Sequence, residues 1–117
     1  MTLLPAGAEI ADARLKLGGV DALELAERFG TPLWVYDCET LEQRSRAYLE
    51  GLAAYPGSAR AVFACKAQST VSVLRVVIEQ GLGADAASEG ELAAALRAGV
   101  KPESVVIHGN NKSRADL

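Results

Sequence analysis

The sequence predicts an α/β fold with parallel strands. From residue 60 onward, apolar runs alternate with capped helical stretches in the order β-α-β-α-β-(α). Such alternation argues for parallel strands joined by right-handed crossovers. Half of the 117 residues are hydrophobic and 23% are charged, enough apolar surface for a packed core. The strand runs, rich in Val, Ile, Phe and Ala, read as buried on both faces. A closed eight-stranded barrel takes about 250 residues, so about three such units leave a sheet with open edges that further chain or another copy is expected to cover.

Taken in order, Asp21 and Glu24 form a capping box that opens a helix carrying Leu23, Ala26 and Phe29. Gly30 closes that helix. Leu33-Trp34-Val35-Tyr36 follows as a short β run. Asp37 is placed to cap the next helix, with Leu41, Tyr48, Leu49 and Leu52 on its apolar positions, and Pro56-Gly57 is a turn. Arg60–Cys65 reads as a strand. Ser69 or Thr70 then starts a helix through Val73, Leu74, Val77 and Ile78, ended by Gly81. Gly83–Ala87 is a strand of small residues. Ser88 and Glu91 form a second capping box for a helix carrying Leu92, Ala95 and Leu96, ended by Gly99. Ser104–His108 is the last strand. Ser113 and Asp116 signal a further helix, and its apolar face is absent before Leu117, so the chain is expected to be a piece of a longer protein.

Composition excludes several function classes. Twelve Lys and Arg against fifteen Asp and Glu give a net charge of −3, which is no basic footprint for nucleic acid. Aromatics at 5% supply no stacking platform. Cys38 and Cys65 are too few for a disulfide scaffold or a metal cluster, so no metal site is expected, and both read as small buried hydrophobes in a reducing compartment. No basic leader precedes Glu9 and Asp12, and no apolar run reaches the length of about 20 residues that spans a bilayer. The expectation is a cytoplasmic protein without a membrane partner.

Lys66 stands where chemistry is expected. It directly follows an apolar strand, and in parallel α/β folds the carboxyl ends of strands carry the site. A partly desolvated lysine there acts as a nucleophile toward a carbonyl; the plainer reading is a lysine reaching solvent from a strand end. Asp85 ends the neighbouring strand, where it could hold the Lys66 ammonium or orient a cofactor, or serve as an ordinary turn aspartate. Glu91 could likewise serve the site, but its place as third residue of a capping box is the plainer reading. His108, the one histidine, ends the third strand, where it could touch a ligand or be structural. Gly109–Ser113 is a polar loop suited to anions or to turn chemistry alone. Neither a dinucleotide glycine fingerprint nor a Walker A pattern is present.

Phe63-Ala64-Cys65-Lys66-Ala67, with Val73-Leu74 and Gly81, resembles the lysine-bearing segment of the fold type III pyridoxal-phosphate decarboxylases. Gly81–Leu92, containing Gly-Ala-Asp-Ala-Ala-Ser-Glu-Gly-Glu-Leu, resembles their next strand and helix, and Thr31–Asp37 their opening strand. His108-Gly109-Asn110-Asn111-Lys112-Ser113 looks like the form carried by members that convert meso-2,6-diaminopimelate to L-lysine and carbon dioxide. Together the matches run in order over residues 22–117; Gln68 stands where many members carry Asn.

The resemblance implies a partial alanine-racemase-like TIM barrel, made of its first βα units and preceded by an N-terminal helix and a strand of a β domain. Residues 1–37 would be the N-terminal segment with that strand, and 38–117 the first part of the barrel. It implies pyridoxal 5'-phosphate as cofactor, an imine link to Lys66 as catalytic residue, cofactor contacts from Asp85, Glu91 and His108, an amino-acid substrate and a homodimer. The family's phosphate loop, its acid on the pyridine nitrogen, its stacking histidine and the residues crossing the dimer interface would lie beyond residue 117. The chain alone is therefore expected to be inactive. Relatives acting on ornithine, arginine or carboxynorspermidine are alternatives, as are a βαβ binding module and a cofactor-free Schiff-base aldolase.

Overall fold

The computed structural model describes residues 4–110 and 112–114. The chain divides into two compact units, Met1–Gln43 and Arg44–Leu117. In the first, β1 (Ala8–Ala11), β2 (Arg14–Leu17) and β3 (Val20–Asp21) form an antiparallel sheet in chain order. Ala11 pairs with Arg14 and Leu17 with Val20, so each connection is a two-residue loop. Asp12 and Ala13 have φ of 51° and 59°, and Gly18 and Gly19 have 56° and 80°. Positive φ at both central residues is the type I′ hairpin pattern, whose twist matches that of the strands. These strands are not among the elements placed from sequence.

α1 (Ala22–Phe29) forms as expected. The Asp21 carboxylate accepts from the amides of Leu23 at 2.8 Å and Glu24 at 3.4 Å. Leu23 and Phe29 remain 62% and 60% exposed, so α1 buries none of its residues. The expected strand over Leu33–Tyr36 is not present: this stretch has no ladder partner among the described residues, and Trp34 is 88% exposed. β propensity measures fit to a half-buried pleated surface, and here no neighbouring strand supplies one.

α2 (Cys38–Ala53) is started by Asp37, which accepts from the Glu39 amide at 3.2 Å. The same carboxylate accepts from the Gly7 amide at 2.9 Å and the Thr40 hydroxyl at 2.5 Å, and the Thr40 hydroxyl accepts from the Ala6 amide at 2.7 Å. This clasp ties the Ala6-Gly7 backbone to the first turn of α2. A Cβ at Gly7 would lie 2.9 Å from the Asp37 carboxylate, so only glycine fits there without displacing it.

The second unit contains the expected βα repeat. β4 (Val62–Ala64), β5 (Gly83–Ala86) and β6 (Val105–Ile107) form a parallel sheet in that order. α3 (Val71–Glu79) and α4 (Glu89–Ala98) make the crossovers, and single turns of 3-10 helix occupy Cys65–Ala67 and Pro102–Ser104. Ser88 caps α4 by accepting from the Glu91 amide, and Gly99 ends it at φ 100°. The register sets Phe63, Ala84 and Val105 side by side. They pack with Cys65, Leu74, Ala95, Ala98 and Val100 into the core between sheet and helices. Alternation places Val62, Ala64, Asp85 and Val106 on the other face. Val62 and Val106 are 36% and 44% exposed there. Burial on both faces therefore holds for β5 alone, because no second layer covers the outer strands among the described residues.

Candidate active site

The site is built at the carboxyl ends of β4, β5 and β6, which parallel pairing brings to one rim. Cys65, fully buried, anchors the single turn that follows β4. The next residue, Lys66, is exposed rather than partly desolvated, because that turn lifts it off the sheet. Its ammonium makes no hydrogen bond or ion pair among the described residues. Asp85 lies in β5 opposite Ala64, two residues short of Lys66 in register. His108 extends β6 by one residue, its amide donating to the Ala86 carbonyl at 3.0 Å.

The structure brings Asp85 and His108 together: Nδ1 of His108 hydrogen-bonds Oδ1 of Asp85, with the side chains 43% and 23% exposed respectively. The carboxylate thus takes the imidazole as partner and leaves Lys66 free. Glu91 turns toward the backbone. Its Oε2 accepts from the Ala87 amide at 2.8 Å, one residue before the Ser88 cap, while its own amide donates to Ser88 Oγ at 3.2 Å. The Cys65 thiol is pushed up by burial and further by the negative charges of Glu91 and Asp85.

Sequence reasoning missed Lys112. Its ammonium donates to the Ala87 carbonyl, linking the loop after β6 to the end of β5. The signal was the polar Gly109–Ser113 loop, whose cation meets a carbonyl here rather than an anion. The expected Ser113–Asp116 capping box involves Asp116, which lies outside the described residues. Among the described residues no group of three His, Cys, Asp or Glu side chains could hold a metal ion. Cys38, expected to be buried, is exposed at the start of α2.

Parallel βα units with an exposed amine at one strand end and a carboxylate–imidazole pair at the next two define an α/β protein whose candidate site lies at its strand ends. Residues 38–117 match the family model described as pyridoxal-dependent decarboxylase, pyridoxal binding domain, and the chain belongs to that family. It is 43% identical over 103 residues to a diaminopimelate decarboxylase of Bacillus subtilis (strain 168), covering 88% of this chain and 24% of that protein. Against the diaminopimelate decarboxylase of Actinosynnema pretiosum subsp. auranticum it is 45% identical over 115 residues, covering 98% of this chain and 25% of that protein. The crystal structure of diaminopimelate decarboxylase from M. jannaschii superposes with a TM-score of 0.87 at 35% identity, covering 94% of this chain and 26% of that one. The chain spans about a quarter of the length of the curated relatives it matches. Its βα units are the opening part of an alanine-racemase-like barrel.

Proposed function

We propose that this chain supplies the lysine-bearing part of a pyridoxal-phosphate-dependent decarboxylase that converts meso-2,6-diaminopimelate to L-lysine, a step of lysine biosynthesis. The observation that carries this reading is the exposed Lys66 amine, without a partner among the described residues, on the same rim of strand ends as the Asp85–His108 pair, in a chain whose relatives bear the name diaminopimelate decarboxylase. A solved relative from M. jannaschii in complex with L-lysine supports an amino-acid ligand.

The residues present fit the cofactor. Lys66 supplies a free primary amine, the group an aldehyde requires. When bound, pyridoxal phosphate supplies the electron sink for the charge left as carbon dioxide departs. Lys66 would hold the cofactor at Nζ, and the same atom would move a proton during the reaction. Asp85 and His108, a hydrogen-bonded pair, would orient the cofactor; Glu91 fixes the backbone near them through the Ala87 amide. Residues 1–37 belong to the β-domain side and 38–117 to the barrel. The antiparallel sheet β1–β3 and the start of the family match at residue 38 support that boundary. The protein is a homodimer of the cytoplasm; the half-open outer strands of the sheet are consistent with further protein covering them. No described helix is long and apolar enough to cross a membrane.

Borohydride reduction in the presence of pyridoxal phosphate, followed by peptide mapping, tests this. The lysines are Lys16, Lys66, Lys101 and Lys112. Selective labelling of Lys66 in the full-length protein is expected; equal labelling of all four overturns the assignment. Lys66→Ala is expected to abolish carbon dioxide release from meso-2,6-diaminopimelate, and activity kept within about tenfold overturns it equally.

A further inference from the structure

The backbone of one residue at the rim, Ala87, is held through its two flanking peptide groups by opposite charges. The amide of Ala87 donates to the Glu91 carboxylate at 2.8 Å, and its carbonyl accepts from the Lys112 ammonium. Both contacts are part-buried, and both are charge-assisted, the stronger class of hydrogen bond. They come from different elements: Glu91 from the first turn of α4, Lys112 from the loop after β6. Gly109 backs directly onto this contact. At φ 113° it adopts a conformation that side-chain-bearing residues rarely take, and a Cβ there would lie 3.4 Å from Lys112 Nζ and 3.8 Å from the Ala87 carbonyl oxygen.

Ala87 follows β5 two residues after Asp85, and Gly109 follows His108 directly. The tether therefore joins the two backbones that carry the Asp85–His108 pair. Beyond the strands, the ladder bond from the His108 amide to the Ala86 carbonyl, 3.0 Å, also joins these two backbones. We propose that Lys112 is a positioning residue: by holding the Ala87 carbonyl while Glu91 holds the Ala87 amide, it fixes the separation of Asp85 and His108, and through them the setting in which Lys66 meets its carbonyl ligand. This rests on the reading of Lys66 given above. Misplacement of a binding group by about 1 Å can cost up to about a hundredfold in rate, so a backbone clamp at this point has leverage on the site.

The test uses the full-length protein with Lys112→Met and Lys112→Arg. Three readouts are taken: retention of pyridoxal phosphate on dilution, followed by absorbance; the share of borohydride label on Lys66; and melting temperature. Lys112→Met is expected to weaken retention about tenfold and to lower the Lys66 share. Lys112→Arg keeps a cationic donor for the Ala87 carbonyl and is expected to restore most of both. A Lys112→Met protein that retains cofactor within about twofold and labels Lys66 as before, whatever its melting temperature, overturns the proposal. So does failure of Lys112→Arg to recover either readout. If the unsubstituted protein already lacks selectivity for Lys66, the reading of Lys66 fails and this inference falls with it.

Discussion

Cys65 and Cys38 differ in what governs thiol chemistry. Cys65 is fully buried behind the rim, with its Sγ 3.8 Å from the Phe63 carbonyl oxygen, and Cys38 lies exposed. Burial first, and then the carboxylates of Glu91 and Asp85, push the Cys65 thiol above its usual range. The thiolate is the reactive form. At neutral pH iodoacetamide is expected to label Cys38 and spare Cys65 in the folded chain, and to label both in denaturant; mass mapping checks it, and equal labelling in the folded chain refutes it. The same scale shows what a sequence reveals of a site. Lys66 was legible because an apolar run ends on it. Its exposure agrees with the plainer of the two sequence readings, a lysine reaching solvent from a strand end, and it sits on the single turn Cys65–Ala67. Lys112 was hidden because its partner is a backbone carbonyl, which carries no residue identity.

The elements rest on close approach in the middle of the parallel sheet. A Cβ on Gly83 would lie 2.3 Å from the Ser104 carbonyl oxygen and 3.0 Å from Val62 Cγ1. Gly83 sits in the central strand, so neither neighbour can yield without parting the sheet. Gly83→Ala is expected to destabilise the fold by about 2 kcal/mol, as overpacking does, read as a lower urea midpoint with the slope unchanged; a midpoint equal to that of the parent chain refutes it. The three parallel strands were legible because Gly81, Ser88 and Gly99 punctuate the units, and the structure trims the strands only at their ends. The hairpins β1–β3 were not read. Gly18-Gly19 marks one turn, but Asp12-Ala13 takes positive φ without any glycine. The Leu33–Tyr36 stretch fails in the opposite direction, since strong β propensity cannot form a strand where no partner backbone lies alongside.

Across the whole molecule the net charge of −3 hides an uneven use of carboxylates. Two in the N-terminal unit are held below their ordinary range. Asp21 is lowered chiefly by its hydrogen bond from Arg14, whose Nε lies 2.6 Å away, and Asp37 chiefly by the Thr40 hydroxyl and then the Gly7 amide. A carboxylate whose folded pKa lies below its unfolded one adds stability that is fully present above the unfolded value, about pH 4, and is lost as pH falls through the folded value. The unit that holds β1–β3 should therefore loosen as pH drops below about 4. Both carboxylates are close to solvent, so the effect is modest and screened by salt. Hydrogen exchange of the Ala8–Leu17 amides between neutral pH and pH 2.5, corrected for the intrinsic rate, measures it. Protection is expected to fall in the acid limb. In Asp37→Asn, which keeps an oxygen acceptor but cannot ionise, protection should be lower at neutral pH and should fall less on acidification. An acid limb equally steep in the variant would mean that the Ala6-Gly7 clasp owes nothing to the Asp37 charge, and that its hydrogen-bonding shape alone joins this backbone to α2.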